Sequence, residues 1–296
     1  MTYDGLVYGL EENTYHSLPG LSSTGAKKIL KSPAHYKYYS ENPHETKDEF
    51  DLGSAVHSKV LGVGAAIAVY PDGTGPETFE YEGEQLRDVL AKNGAVSTKA
   101  AAAFAADARS RGLIPVKRVV GRVVDKMVDS VLKNQTARAL FEGGHPEVSM
   151  FATDPVTNVP LRGRLDYLSA RIADLKTTAT EASETGFARQ AFNLGYEVQF
   201  GWYSHIYELI TGETPPWLFV VVESAPPYLT GIHVLSEDAQ RIGREKARLA
   251  RERYAKCRDT GEWGGYTTRN GGPIGVLDVP MYAIYDYQDN VEGKAA

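Results

Sequence analysis

Two aspartates and a lysine, Asp166, Asp174 and Lys176, crowd into one short stretch, LRGRLDYLSARIADLKTT, from Leu161 to Thr178. The stretch reads as two strands joined by a tight turn. Strand side chains alternate between faces, so Asp174 and Lys176 point the same way. Asp166 joins them only if the pairing register allows it, because directly opposed residues of an antiparallel pair share a face. With Leu168 and Ile172 flanking a loop of Ser169, Ala170 and Arg171, Asp166 falls opposite Asp174. A loop one residue shorter would put Ala173 there and bury the wrong side chain. An odd-length loop or a bulge is therefore expected. Two carboxylates and an ammonium then converge on one spot, and a divalent metal is the simplest compensation for crowding the acids.

That trio suits metal-assisted hydrolysis of a phosphodiester. Hard Mg²⁺ prefers oxygen ligands and keeps several waters. It polarises the phosphoryl group and lowers the pKa of attacking water. The lysine would orient or deprotonate that water, its own pKa depressed by desolvation and by the metal. As bare spacing, however, Asp-x-Lys with an upstream Asp recurs by chance in a chain with 24% charged residues. The plain alternative is a surface salt bridge on a hairpin. The surrounding elements must decide.

The bulk properties set limits. The 296 residues, 42% of them hydrophobic, suffice for one large domain with a real core. No apolar run is long enough for a membrane span, and MTYDGLVYGLEEN lacks the pattern of a secretory signal. A single cysteine, Cys257, excludes an internal disulfide or a cysteine-ligated zinc or iron–sulfur site within one chain, and fits a reducing, cytoplasmic setting. The net charge of −6 argues against coating nucleic acid by bulk charge, but allows a local basic groove.

Along the chain, residues 1–20 read as an irregular lead-in. Ser22 or Ser23 caps a helix through Leu30, and Ser32-Pro33 starts a second, SPAHYKYYSENP. Lys27, Lys28, Lys31 and Lys37 stud this pair between tyrosines, which suits either a nucleic-acid strand or a solvated face. Phe50 to Leu61 reads as a third helix with Gly53 and His57 on one face. Ala65 to Tyr70 reads as a strand. Glu84 to Phe141 reads as helical, including one helix from Ser97 or Thr98 to Gly112. Another runs from Val116 to Leu132 with Val119, Val123, Met127 and Val131 as its apolar stripe. HPEVSMFA, His145 to Ala152, is a strand entering the hairpin. Helices Glu181–Leu194 and Tyr196–Ile210 are separated by Gly195. Pro216 to Glu223 reads as a strand buried on both faces, with Thr230 to Leu235 beside it. Ser236 caps a long charged helix to about Arg258, whose charges read mainly as a solvated, internally paired face. The tail after Gly261 reads as an extended aromatic arm.

Several of these segments, in their order, resemble the RecE and RecB-like branch of the PD-(D/E)xK nuclease superfamily. GSAVH, Gly53 to His57, matches that family's glycine-to-histidine helix. GRLDYL, Gly163 to Leu168, matches the strand of the first aspartate, and DLKTT, Asp174 to Thr178, the D/E-x-K strand. QFGWY, Gln199 to Tyr203, matches the glutamine-to-tyrosine helix. GLSSTGAKKILKSPAHYKYYSENP, DLGSAVHSKVLG and PEVSMF look specifically like the nuclease domain of RecE, or exonuclease VIII. The resemblance spans roughly Tyr15 to Leu235.

The resemblance implies an α/β fold with a PD-(D/E)xK restriction-endonuclease-like core, a mixed central sheet flanked by helices, and a helical N-terminal half. One nuclease domain would cover 1–296: a helical part over about 15–142, catalytic sheet and helices over about 145–258, and an arm over 261–296. It implies that Asp166 and Asp174, with the Leu175 carbonyl, bind Mg²⁺ or Mn²⁺, and that His57 is a further ligand. Glu147 would hold a second metal. Lys176 would activate water, and Gln199 would orient Lys176 or a phosphate. Tyr203 would support its helix or touch DNA. Thr177, Arg162, Arg164, Lys27, Lys28 and Lys31 are the candidate DNA contacts. The implied activity is a 5′-to-3′ exonuclease on linear duplex DNA that leaves 3′ strands for a RecT-like annealing protein. The implied assembly is a homo-oligomeric ring, phage- or prophage-encoded. The alternatives are a structure-specific or single-strand endonuclease and a catalytically silent DNA-binding module.

Overall fold

The hairpin sits in the middle of a six-stranded sheet. This computed structural model describes residues 3–42, 52–268, 271–272 and 274–292. Pro43, Phe50 and Asp51, expected at helix ends, and the last residues of the arm lie outside the described residues. The sheet runs β1 (Gly5–Val7), β6 (His145–Thr153), β7 (Pro160–Leu168), β8 (Ile172–Thr178), β9 (Trp217–Glu223), β10 (Thr230–His233), in that spatial order. Only β8 and β9 are parallel; the other neighbours are antiparallel. A parallel pair needs a crossover. Here it is supplied by α8 (Glu184–Leu194) and α9 (Tyr196–Thr211), with Gly195 in the left-handed conformation between them, φ 67°. The mixed α/β sheet is the one expected.

Two layers of side chains cover the sheet. On one face Val148, Met150, Leu161, Leu165, Ile172, Phe219 and Val221 pack against α9, the long α10 (Glu237–Thr260) and α2 (Ser23–Lys31). On the other, Tyr167, Ala173, Leu175, Val220 and Val222 pack against α4 (Leu52–Leu61), α6 (Arg118–Lys133) and α7 (Gln135–Leu140). Strand β9 is thus buried on both faces, which is why its sequence, WLFVVVE, runs apolar without alternation. The caps read from sequence are formed: Ser22 accepts from the Gly25 amide and leads α2, while Ser32 accepts from His35 and leads α3 (Pro33–Glu41).

Five expectations need correction. The arm after Gly261 is not extended throughout, since Met281–Tyr287 forms a helix. The lead-in is not wholly irregular: β1 pairs with β6, and α1 (Glu12–Ser17) follows. The stretch from Glu84 to Phe141 is helical only in part, and with the expected strand near Ala65–Tyr70 the chain between Ile67 and Val116 is mixed. It forms a satellite of β2 (Ile67–Val69) parallel to β5 (Ile114–Val116), a hairpin of β3 (Phe79–Tyr81) and β4 (Glu84–Leu86), and α5 (Lys99–Ser110). Its own small core of Tyr70, Val89, Phe104 and Ala108 holds it, with Arg118 clamping Asp72 and Glu77. In α6 the buried stripe is Gly121, Val124, Met127 and Val131, whereas Val119 is 65% exposed. The valine-rich start offered two registers, and tertiary packing chose the one reaching Gly121. Helix α8 begins at Glu184 rather than Glu181, because Ser183 supplies the cap.

Helix α9 is buried nearly all round, from Glu197 to Ile206, because it lies between the sheet and α10. The two helices touch backbone to backbone. A Cβ built on Gly243 would stand 2.1 Å from the Glu197 carbonyl oxygen, and one on Gly201 would stand 2.3 Å from that of Gly243. The turn before β7 is tied to the same pair: Asp154 accepts from His205 at 2.9 Å and pairs with Arg251 at 2.7 Å. The hairpin's position is therefore set from behind by α9 and α10. Among the described residues, no helix is long and apolar enough to cross a membrane.

Gly243→Ala is expected to destabilise the protein by about 1–3 kcal/mol through overpacking against backbone. Gly264→Ala, with open space at its Cβ, should be near neutral. Urea unfolding midpoints of the two variants and the parent test this. Equal midpoints would remove the close helix contact from the account.

Candidate active site

The β7–β8 loop has the odd length that the two aspartates require. Leu168 pairs with Ile172 and Tyr167 with Ala173, across Ser169–Arg171. Beyond that the ladder stops. The amide of Leu175 is given instead to a carboxylate oxygen of Asp166, at 2.8 Å. The strands splay at the point where both acids stand, and Asp166 takes over a ladder bond that the backbone gives up.

A second irregularity aims Asp166. Leu165 and Leu168 both belong to the α9 side of the core, while Tyr167 belongs to the α4 side. Strict alternation would place Leu165 and Leu168 on opposite faces. The departure is absorbed at Asp166 and at Glu147 opposite it, between the paired positions Pro146–Tyr167 and Val148–Leu165. Glu147 has φ 53°, a left-handed backbone rare for a residue with a side chain. Such strain persists only where the surroundings enforce it, and here it lies beside two other acids.

His57, from α4, fills the space in front of these carboxylates. Its Nε2 lies 3.0 Å from Asp166 and its Nδ1 3.3 Å from Glu147. Burial alone would lower the His57 pKa, but the charges of Asp166 and Glu147 win and push it up to about 9. Burial likewise opposes the charge on Asp166, yet His57 and Lys176 hold its carboxyl below the ordinary range. Glu147 also pairs with Arg164; burial nonetheless raises its pKa.

Asp174 stands behind the floor, 1% exposed. One of its oxygens accepts from Gln199 Nε2 at 2.7 Å, and the other pairs with the Lys176 ammonium. Burial raises the Asp174 pKa, Lys176 offsets part of the effect, and the charge of Asp166 adds to it. For Lys176 the sequence expectation counted a nearby metal, whereas the protein's own groups pull the other way. Burial lowers its pKa, but Asp174 and Asp166 outweigh that and push it up to about 12. With these two carboxylates unscreened, Lys176 is an ammonium and not a base. Gln199 serves Asp174 and not Lys176. Tyr203 is buried, its hydroxyl 3.4 Å from Ser23 Oγ and its ring against the site where Gly163 has no Cβ, so it braces α2 and β7.

These groups line a cleft of about 1420 Å³. His57, Glu147, Arg162, Arg164, Asp166, Leu175, Lys176, Thr177 and Tyr203 all contribute to its wall, as do Tyr15 and Tyr196, which the sequence did not single out. The opposite rim comes from Gly112–Pro115 of the satellite. Arg162 and Arg164 are committed to the protein. Arg162 donates to the carbonyls of Tyr15, His16 and Leu18 at the end of α1. Arg164 donates to Leu10 at 3.0 Å and to Glu147, and both guanidinium groups cover the Tyr15 ring. They fasten the lead-in to β7, a role the motif pattern could not signal. Lys28 lies over Tyr39 and Lys31 is exposed, both outside the cleft wall. Lys27 turns toward the site: burial first, then the charge of Lys176, lower its pKa to about 8.

Among the described residues, no three His, Cys, Asp or Glu side chains stand open as a ready metal cage. His57, Glu147 and Asp166 are instead closed on one another by their own pairing. The donor chemistry still fits a hard divalent cation: carboxylates, a backbone carbonyl at Leu175 and one imidazole. The cationic His57 and Lys176 supply the compensation that such an ion would give.

Over residues 22–269 the sequence matches the family described as PDDEXK-like domain of unknown function (DUF3799). No curated protein matches the chain. The fold is similar to the crystal structure of a candidate exonuclease from Eubacterium rectale, at 14% identity and a TM-score of 0.57, covering 96% of this chain and all of that one.

A folded-state pKa of His57 raised above its ordinary 6.5 stabilises the fold fully below that value. The contribution, up to roughly 3 kcal/mol, is lost as pH climbs through about 9. In chelated protein the His57 ring signals should titrate near 9 by NMR, and Asp166→Asn should bring the midpoint down. An ordinary midpoint in the parent would disprove the ion-paired histidine.

Proposed function

The chain belongs to the PDDEXK-like family, and from that premise we propose that it is a metal-dependent nuclease acting at the ends of linear duplex DNA. The observation that carries the proposal is the convergence of Asp166, Asp174 and Lys176 at the strand splay, with Asp166 and Lys176 on the cleft wall and Asp174 buried directly behind them. The resemblance to RecE-like sequences and the likeness to a candidate exonuclease support exonucleolytic cutting over internal cutting. On this proposal it runs 5′ to 3′ and leaves 3′ single strands for a strand-annealing partner, with the nuclease assembled as a ring.

Asp166, Asp174 and the Leu175 carbonyl would hold Mg²⁺ or Mn²⁺, with His57 as a further ligand and Glu147 able to hold a second ion. When bound, the ion supplies Lewis-acid activation of the phosphoryl group and of water. The protein's own groups do the rest. Gln199 fixes one Asp174 oxygen, so the carboxylate cannot rotate away from the cleft. Glu147 holds the His57 ring through Nδ1, so that Nε2, which lies beside Asp166, is the nitrogen that would face an ion there. Lys176 presents its ammonium at the cleft wall, where it stabilises charge building on phosphoryl oxygens and orients the attacking water.

Lys176→Ala should lower turnover by about 10²–10⁴-fold and leave DNA affinity nearly unchanged, while Asp174→Asn should also weaken Mg²⁺ binding by calorimetry. Linear and covalently closed circular duplex, incubated with Mg²⁺ and with chelator, decide the mode. Loss of the linear form alone is expected. Equal cutting of both would make the protein an endonuclease. No cutting of either would leave a silent DNA-binding module.

A further inference from the structure

Lys176 and Lys27 come from distant parts of the chain, yet they meet over one aromatic ring. The Lys176 ammonium lies 5.0 Å from the Tyr196 ring centroid and that of Lys27 lies 5.4 Å from it. Both distances are within the range in which a cation is attracted by the face of an aromatic ring. Two ammonium groups drawn together in a partly buried cleft repel one another, so their meeting needs a compensating group. Asp174 compensates Lys176 directly. Among the described residues Lys27 makes no ion pair and feels Asp174 and Glu197 only from a distance, so the ring is the group it rests on.

The ring is held more firmly than a surface tyrosine needs. Tyr196 is the first residue of α9, set by the left-handed turn at Gly195. It stacks on Phe219 of β9, centroids 6.0 Å apart and planes 25° apart, and packs against Phe187 of α8 at 5.9 Å. Gln190 lies against its hydroxyl. Gln190 also donates to the Thr177 carbonyl at 3.2 Å and accepts from Thr178, so the ring is tied to the strand that carries Lys176. The Lys27 stem lies on Gly195, where a built Cβ would come within 3.3 Å of it.

We infer that Tyr196 is a positioning residue of the reaction centre, a seat that holds the ammonium groups of Lys176 and Lys27 together at the cleft. The inference rests on the proposed nuclease activity for its kinetic consequence. A flexible lysine stem loses rotamer freedom when its head is seated. Preorganised positive charge is worth most where phosphoryl oxygens gain charge in the transition state. Loss of the ring should therefore act on turnover more than on binding.

The test uses Tyr196→Leu, which removes the ring, and Tyr196→Phe, which keeps the ring and removes the hydroxyl. With linear duplex and Mg²⁺, Tyr196→Leu should lower kcat about 10-fold with KM almost unchanged. Tyr196→Phe should restore kcat to within about 3-fold of the parent. Unaltered kcat in Tyr196→Leu overturns the inference, and so does a loss in Tyr196→Phe as large as that in Tyr196→Leu. A second readout needs no activity. The Cε protons of Lys27 and Lys176 should show upfield ring-current shifts in the parent and in Tyr196→Phe, and ordinary shifts in Tyr196→Leu. Shifts that do not depend on the ring remove the seat. A parent that fails to cut DNA while showing the shifts sinks the nuclease proposal and keeps the seat.

Discussion

Three carboxylates cannot stand together beside one cleft without cations between them, and most of this structure follows from that constraint. Glu147, Asp166 and Asp174 are interleaved with Arg164, His57 and Lys176, each acid touching at least one of them. The acids come from three adjacent strands and His57 from a helix packed on the sheet. None of these elements can shift alone without leaving a charge uncompensated in a poorly solvated place. The opposite directions of the Asp166 and Asp174 pKa changes express the same constraint. Asp166 faces His57, Lys176 and a backbone amide. Asp174 is the more buried acid and shares its cation with its neighbour.

The sheet meets this constraint by breaking its own rules at one place. Where Asp166 and Glu147 oppose each other, the β6–β7 ladder is interrupted. Where Asp166 and Asp174 would pair, the β7–β8 ladder opens and a side chain accepts the amide of Leu175. A regular ladder would carry only alternating faces and would leave no room for a metal-sized object between strands. The regular parts lie behind it: β9 is paired along its length with β8, and α9 is clamped by glycine contacts to α10. Irregularity at the site is supported by close packing one layer away, as expected when strain is enforced by its surroundings.

How much of this was legible in the sequence depends on whether the signal was local. The register was legible because a three-residue loop and period-two alternation are short-range rules, and they placed Asp166 and Asp174 correctly against each other. Caps at Ser22, Ser32, Thr98 and Ser236 were legible for the same reason. The buried face of α6 was not, because its valines suit two registers and only the position of Gly121 against Ile67 and Val69 selects one. For Arg162 and Arg164 the charge suggested phosphate, and the structure adds a role the sequence did not signal, bonds to carbonyls of the lead-in. Tyr196 was invisible, since an aromatic residue opening an apolar helix looks like core until two lysines are found over it.

The commitment of both arginines bears on how an acidic protein could hold a polyanion. A chain of net charge −6 has little long-range attraction for DNA. On the proposed function the cations beside the acids then act at short range on the phosphate being cut rather than on overall affinity, and the arginines closest to the acids are engaged by the protein itself. Lys176 on the cleft wall and Lys27 beside it remain, seated on one ring and embedded near two aspartates. Their charge is masked at a distance by those aspartates and felt only by a phosphate that enters. On the proposed function this favours a substrate whose strand reaches into the cleft over one that lies across its mouth. On the same proposal the positive charge of the site depends on what occupies the carboxylates, which would couple strand binding to metal binding through Asp174 and Lys176.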